Sequence, residues 1–297
     1  MKIGVVGTRG GWSSELLADA VAEITGYRLL VDMEETSLNL STGELWYEGT
    51  NITELDGLVI KKIGARYSPL LLDRLELLRF LAESGMPIFS SPRAIMGTLD
   101  RLSCTITLRL GNIPMPPTVI TESPAEALAA VERFGSAVFK PLYTSKARGM
   151  EVIDDGPDAL ARIADFQARN PIMYIQKKVP IPGRDLGLVF LGGEYLTTYA
   201  RCSTDTSTWN TTTASGGKYA PAQPSQEIID LAHKAQGLFG LDFTCVDVVE
   251  TGEGPLVFEV SAFGGFRGIL EACGIDAAKL YAQYVVEKVR AHQTAHR

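Results

Sequence analysis

The chain has 297 residues, 45% of them apolar and 21% charged, with a formal net charge of -7. This is material for two or three modest domains and argues against a disordered chain, while the acidic balance argues against a nucleic-acid binder, which needs a surplus of Lys and Arg on one surface. Cys104, Cys202, Cys245 and Cys273 are scattered without a C-x-x-C pair, so neither a zinc knuckle nor a disulfide framework is indicated and a reducing, cytoplasmic setting fits.

The opening "IGVVG" is too short an apolar run for a signal peptide, and no stretch approaches the roughly 18 apolar residues of a membrane span. It reads as a buried strand, followed by a glycine turn and a helix that Gly26 stops. "GTRGGW" lacks both the Lys-Ser/Thr of a P-loop and the spacing of G-x-G-x-x-G, which leaves a tight turn in an α/β core or an unusual nucleotide turn. Strands follow at "YRLLVD", "ELWYEG" and "DGLVIKKIG", then a helix over "SPLLLDRLELLRFLAESG" and a strand at "MPIFSSP". The alternation implies a small, mostly parallel α/β domain over residues 1–92. Lys62 and Arg66 would then face a cleft at strand C-terminal ends, where ligands gather in such sheets.

"AIMGTLDRLSCTITLRLGN" reads as one helix, and the three prolines of "IPMPPTVI" force an extended connection. Ser123 before Pro124 starts a helix through "SPAEALAAVERFG". "SAVFKPLYTSKARGMEVI" is two strands around a polar turn, and a helix over "PDALARIADFQARN" and the strand "IMYIQKKVP" complete a β-α-β-β-α-β-like layer over residues 93–175. From 176 to 297 come a strand, glycine turn and strand in "RDLGLVFLGGEYLTTYAR", a polar loop, the helix "SQEIIDLAHKAQGLFG", a hairpin, and a helix from about Asp276.

That last hairpin, "DFTCVDVVETGEGPLVFEVSA", carries the first chemical signal. If it turns through Thr251 to Pro255, Glu250 pairs with Leu256 and Asp247 lies opposite Glu259. Ser261 shares their face, with Cys245 across from it. Two carboxylates within about 5 Å repel, and a divalent cation resolves the conflict; oxygen ligation by one or two carboxylates plus phosphates is the usual magnesium arrangement. A register slipped by one residue would instead turn both carboxylates to solvent. Lys140, ending the strand "AVFKP", either snorkels to water or points at a bound phosphate. The turn after it, with Thr144, Ser145, Lys146, Arg148 and Gly149, suits closure over phosphate oxygens.

The order of these parts resembles the ATP-grasp superfamily, specifically the RimK-like ligases that join an amine to a carboxylate, and the ending "EVSAFGGFRG" looks like the ATP-grasp member of the GAK gene system. The resemblance spans essentially the whole chain and implies an ATP-grasp fold behind an N-terminal Rossmann-like domain. It implies ATP and magnesium, with manganese as an alternative. Lys140 would grip the α- and β-phosphates, Thr144, Ser145 and Gly149 would belong to the mobile loop, and Gln176, Lys177 and Lys178 to the hinge whose backbone reads adenine. Asp185 would sit near the ribose, Arg201 would face the γ-phosphate or an acyl phosphate, and Asn210, Thr211 and Thr212 would touch nucleotide. Asp247 and Glu259, with Ser261, would hold metal. Arg267 is either a ligand for a substrate carboxylate or a surface arginine.

The chain departs from this pattern at Ser261, where Asn is usual, at Gly187, where Arg is common, at Arg101 in place of Lys, at Lys177 in place of an acid, and in a loop with one glycine. The implied reaction is carboxylate activation by ATP to an acyl phosphate, then attack by an amine. The alternatives are an ATP-binding regulatory protein with little turnover and a phosphotransferase using the same cleft. Substrates are expected to be small molecules or peptide tails, with no nucleic acid or membrane partner, and a dimer or tetramer would be ordinary.

Overall fold

The computed structural model describes residues 1–145, 147–203 and 217–295. Strand β1 (Ile3–Val6) is apolar and buried throughout, as a central parallel strand must be. Its turn leads to α1 (Trp12–Thr25), then β2 (Leu30–Val31), β3 (Thr36–Asn39), β4 (Glu44–Tyr47), β5 (Thr50–Asn51), β6 (Gly57–Ile60), α2 (Leu70–Glu83) and β7 (Ile88–Phe89). A parallel sheet in the order β2-β1-β6-β7 forms as expected. The strand at "ELWYEG" does not join it. β4 centres a separate antiparallel sheet, β3-β4-β5, because its alternation turns Leu45 and Tyr47 inward and leaves Trp46 to solvent.

The single helix expected at 94–112 is two, α3 (Pro92–Leu99) and α4 (Arg101–Leu110). Asp100 breaks it: its backbone is extended and its carboxylate accepts from the Leu102 N–H at 3.0 Å and the Ser103 hydroxyl at 3.1 Å. A local cap competes successfully with helix continuation. The break brings Arg101 to the end of a helix rather than its middle.

Next come β8 (Thr118–Thr121), α5 (Pro124–Phe134), β9 (Ser136–Lys140), β10 (Glu151–Asp154), α6 (Ala159–Arg169) and β11 (Met173–Lys177). They build an antiparallel sheet, β10-β9-β11-β8, with α5 and α6 on one face around Phe139, Phe166 and Ile175. Period-two alternation puts Val138 and Lys140 on the other face.

The final sheet, β14-β13-β12-β15-β16, uses β12 (Arg184–Leu191), β13 (Glu194–Cys202), β14 (Lys218–Pro221), β15 (Phe243–Thr251) and β16 (Gly254–Ser261). Gly192 and Gly193, both at positive φ, make the two-residue turn from β12 to β13. Helix α7 (Gln226–Gly237) precedes β15, and α8 (Phe266–Cys273) and α9 (Ala277–Ala295) follow β16. α8 and β14 were not expected. α9 returns to the first sheet, where Tyr281, Val285 and Val289 share a core with Ile3, Val5, Leu17 and Val21. No helix among the described residues is long and apolar enough to cross a membrane.

Candidate active site

The sheets β10-β9-β11-β8 and β14-β13-β12-β15-β16 face one another across a cleft of about 1090 Å³ that also reaches the N-terminal sheet. One wall is the exposed face of β12, β13, β15 and β16. The other carries Val138, Lys140, Gln176 and the segment from Lys177 to Ile181.

Asp247 lies opposite Glu259, and Cys245 opposite Ser261, so the expected pairings form, and all four residues line the cleft. The route to that register differs from the expected one. The turn is two residues, with Thr251 opposite Gly254 and Glu250 opposite Pro255, not Leu256. A bulge between Val257 and Glu259 then adds one residue, Phe258, and restores the register. It also turns Phe258 toward the cleft beside Glu259, where its ring lies 5.4 Å from the Lys140 Nζ.

Arg201 on β13 is bracketed by two carboxylates. It donates to Asp185 Oδ2 through Nε at 2.9 Å and again through Nη2, and pairs with Asp247 at 2.8 Å. Asp185, placed near a ribose by the resemblance, is thus engaged by Arg201. Burial works against the Arg201 charge, but Asp247 and Asp185 outweigh it and keep the guanidinium protonated. Burial pushes the Asp247 carboxyl up to about 6, with Arg201 pulling it down and Asp185 and Glu259 pushing it further up. Asp247 is held toward neutrality first by burial, and the carboxylates of Asp185 and Glu259 add to it. Glu259 has Arg101 at 3.6 Å and remains 44% exposed, open to a further ligand. The donor set fits a hard divalent cation. Among the described residues no group of three or more His, Cys, Asp or Glu gathers to hold one, so such a cation would take its remaining ligands from phosphate oxygens and water.

Lys140 is buried, with its Nζ donating to Gln176 Oε1 at 2.5 Å. Gln176 is fixed in turn by donating to Thr118 Oγ1 at 3.0 Å and to the Tyr174 hydroxyl at 3.2 Å. Its side chain therefore orients the lysine. The Lys177 and Lys178 N–H groups donate to the Pro117 and Ser136 carbonyls, at 2.8 and 3.0 Å, and are committed within the protein. Burial pushes the Lys140 ammonium down to about 7; Arg101 adds to the fall and Glu259 offsets part of it.

In the turn after β9, Ser145 and Arg148 line the cleft, and Arg148 folds back so that its Nη2 donates to Ser145 Oγ at 3.2 Å. Thr144 instead borders a smaller cavity beside Arg101, which donates to its carbonyl at 3.3 Å. Gly149 supplies a positive φ of 67°. Lys146, Asn210, Thr211 and Thr212 lie outside the described residues. Lys62 lines the cleft and Arg66 does not. Arg267, in the first turn of α8, lies over the Trp12 ring, 5.0 Å from its centroid.

Two residues that sequence reasoning passed over shape this wall. Tyr199 pairs across from Gly187, and a Cβ at 187 would come within 2.6 Å of its ring. The ring thus fills the space where the resemblance puts an arginine side chain, which accounts for the glycine. Tyr67, reaching in from the loop after β6, packs edge-on against Phe263, 6.4 Å between centroids, and lines the same cleft. Neither residue stands out in a sequence, because nothing in a strand or loop pattern says which aromatic ring will border a cavity.

Residues 98–285 match the RimK-like ATP-grasp domain family. Tetrahydromethanopterin:alpha-L-glutamate ligase from Methanosarcina acetivorans is 26% identical, over 92% of this chain and 95% of its own length. Ribosomal protein bS6–L-glutamate ligase from Salmonella paratyphi B is 27% identical over 84% of this chain and 82% of its own. Among solved structures, the ATP-grasp ligase PsnB complexed with minimal precursor superposes with a TM-score of 0.75 at 16% identity, covering 96% of this chain and 98% of that one. A RimK domain ATP-grasp protein from Sphaerobacter thermophilus gives 0.73 at 21% identity, covering 96% and 100%. A match running through both walls of the cleft, from α3 to α9, makes the chain a member of the RimK-like ATP-grasp family.

Proposed function

We propose that this cleft is where the protein, an ATP-dependent carboxylate–amine ligase, binds Mg-ATP and forms an acyl phosphate. The observation that carries the reading is the placement of Lys140 across one cleft from Asp247, Glu259 and Arg201. A substrate carboxylate oxygen attacks the γ-phosphorus, the bond to the β-bridging oxygen breaks, and ADP leaves. An amine with a free lone pair then attacks the acyl carbon, inorganic phosphate departs, and the nitrogen loses its proton. Lys140 offers a desolvated cation to the phosphates and Arg201 a second one beside the carboxylates, where a low-dielectric wall strengthens both. Magnesium, held by Asp247 and Glu259 with Ser261 beside them, would spread the charge on the phosphate oxygens. No covalent nucleophile is needed. Adenine recognition falls to backbone groups of residues 177–181 other than the two committed N–H groups. The ending "EVSAFGGFRG" supports the finer likeness to the GAK gene system, and a cytoplasmic setting agrees with four free cysteines.

The test is hydroxylamine trapping. Protein with Mg-ATP, L-glutamate as the amine and a panel of carboxylates should release ADP, and hydroxylamine supplied in place of the amine should convert the acyl phosphate to a hydroxamate in an amount equal to the ADP released. A stable phosphorylated product without hydroxamate would support the phosphotransferase instead, and nucleotide binding without ADP release the regulatory protein.

Lys140 adds a pH signature. A bound triphosphate favours the charged lysine, so Mg-ATP binding above about pH 7 must draw a proton from solution, given a free-protein value of about 7. Affinity is then expected to fall with rising pH by up to about tenfold per unit. Calorimetry at about pH 8 in buffers of different ionisation enthalpy should show uptake approaching one proton, and Lys140→Met should remove it. Identical heats in all buffers would separate Lys140 from the phosphates.

A further inference from the structure

Arg101 stands where the resemblance puts a lysine, and its contacts differ from those of a phosphate ligand. The first N–H of a helix has no partner inside the helix. That of Arg101, which the break at Asp100 makes the first residue of α4, donates to the Leu142 carbonyl at 3.4 Å. The side chain takes the same direction. Nε donates to the Pro141 carbonyl at 3.3 Å and Nη2 to the Thr144 carbonyl at 3.3 Å, while Nη1 lies 3.6 Å from Glu259 Oε2. Arg101 thus holds three carbonyls of the turn after β9 and stands beside Glu259 on β16.

Little of the guanidinium is left for a ligand. Arg101 borders the cleft, but its side chain is only 9% exposed. Where it meets Thr144 and Glu259 the remaining space is a cavity of about 20 Å³, room for about one water and too small for a phosphate group. The Tyr174 ring lies 6.0 Å from the guanidinium carbon. Each nitrogen of the guanidinium already has its own oxygen. A lysine carries one nitrogen on a flexible stem, a point charge in place of a planar fork, and cannot present separate donors to acceptors spread in this way. The exchange of lysine for arginine therefore changes what the position does.

We infer that Arg101 is a positioning residue and not a phosphate ligand: it ties residues 141–145, which carry Thr144 and Ser145, to the start of α4 beside Glu259, so that this part of the turn is in place before nucleotide arrives. The inference rests on the ligase reading and deepens it. A turn already ordered in the free protein spares the entropy that a mobile loop loses on binding. That agrees with a turn holding one glycine where the resemblance implies several.

Arg101→Lys is the decisive variant, because it restores the residue of the resemblance and keeps the charge. With the turn untied, Mg-AMPPNP binding should weaken and the KM for ATP rise by at least about tenfold, the order expected for two lost hydrogen bonds. The kcat should change by less than about threefold, since bound ATP still draws the turn into place and only uniform binding is lost. Trypsin cleavage after Arg148 in the nucleotide-free protein, mapped by mass spectrometry, should quicken by about tenfold, as the open form becomes more populated. Saturating Mg-AMPPNP should return it to the wild-type rate. If the variant melts early, the wild type carries the test: its turn is already ordered, so Mg-AMPPNP should slow its cleavage after Arg148 by less than about threefold. A greater slowing there would overturn the inference. So would a lysine variant with wild-type KM and cleavage rate, or one whose kcat falls while KM holds, either of which would make Arg101 a phosphate ligand. Failure of the wild type to bind AMPPNP or to form hydroxamate would instead sink the ligase reading, and the nucleotide-free cleavage rates would still decide whether Arg101 holds the turn.

Discussion

Glu259→Ala is expected to lower carboxylate-dependent ADP release by at least about 100-fold while leaving the fold intact, the scale seen when one charge-stabilising group is removed from an active site. Two effects combine. The substitution deletes one of two opposed carboxylates, and with it one of the ligands proposed for magnesium. It also removes the carboxylate that helps Lys140 hold its proton, so the lysine proposed to meet the phosphates becomes a weaker cation. Stability should move the other way. Glu259 is 44% exposed and its pair with Arg101 is long, at 3.6 Å, so little is lost there. Asp247, by contrast, is relieved of a neighbour that pushes its carboxyl up. Melting temperature should therefore stay level or rise slightly while the magnesium dependence of nucleotide binding weakens. Glu259→Gln, which keeps the shape and loses the charge, should behave like the alanine. Activity within tenfold of wild type in both variants would place the metal elsewhere.

Arg201→Met should destabilise the fold by about 3–5 kcal/mol, the cost of removing one partner from a buried charge cluster. Asp185, only 9% exposed, and Asp247, at 24%, would lose the guanidinium that now lies between them. The pH dependence has a definite sign. Asp247 stands at about 6 even with Arg201 present, against an ordinary value of 3.8, and would rise further without it. A carboxyl with a raised folded value binds more protons in the native state, so stability increases as pH falls through the window between the two values. The variant should regain part of its lost stability between about pH 7 and pH 5, as read by urea unfolding, and Arg201→Met/Asp185→Asn should recover much of it at neutral pH. A loss below about 1 kcal/mol would show that the two carboxylates reach solvent and need no cation.

Arg201 and Glu259 also show how legible the site was. Arg201 entered only through the family resemblance, whereas the opposed pair Asp247 and Glu259 followed from counting along a hairpin. The count succeeded through two departures that cancel, a shorter turn and a bulge. A bulge is set by how a strand must bend to pack on its neighbours, so periodicity alone could not supply it, and Phe258 was accordingly missed. The reading of "AIMGTLDRLSCTITLRLGN" as one helix failed for a local reason, since Asp100 prefers to cap. "ELWYEG" left the parallel sheet for a reason that is not local: no short strand announces its partner.

By itself the sequence determined the class of elements, the buried parallel start, the antiparallel layer with Lys140 at a strand end, and the acidic hairpin, because these depend on period, capping and turn chemistry over a few residues. Tertiary structure alone decided which charges meet. Arg201 is drawn between Asp185 and Asp247, Lys140 is stripped of water against Gln176 and Phe258, Tyr199 takes the space above Gly187, and Lys62 and Arg267 rest on aromatic rings. Those partners lie tens to hundreds of residues apart or on different layers. Their energies arise from burial and distance, which exist only once the chain has folded.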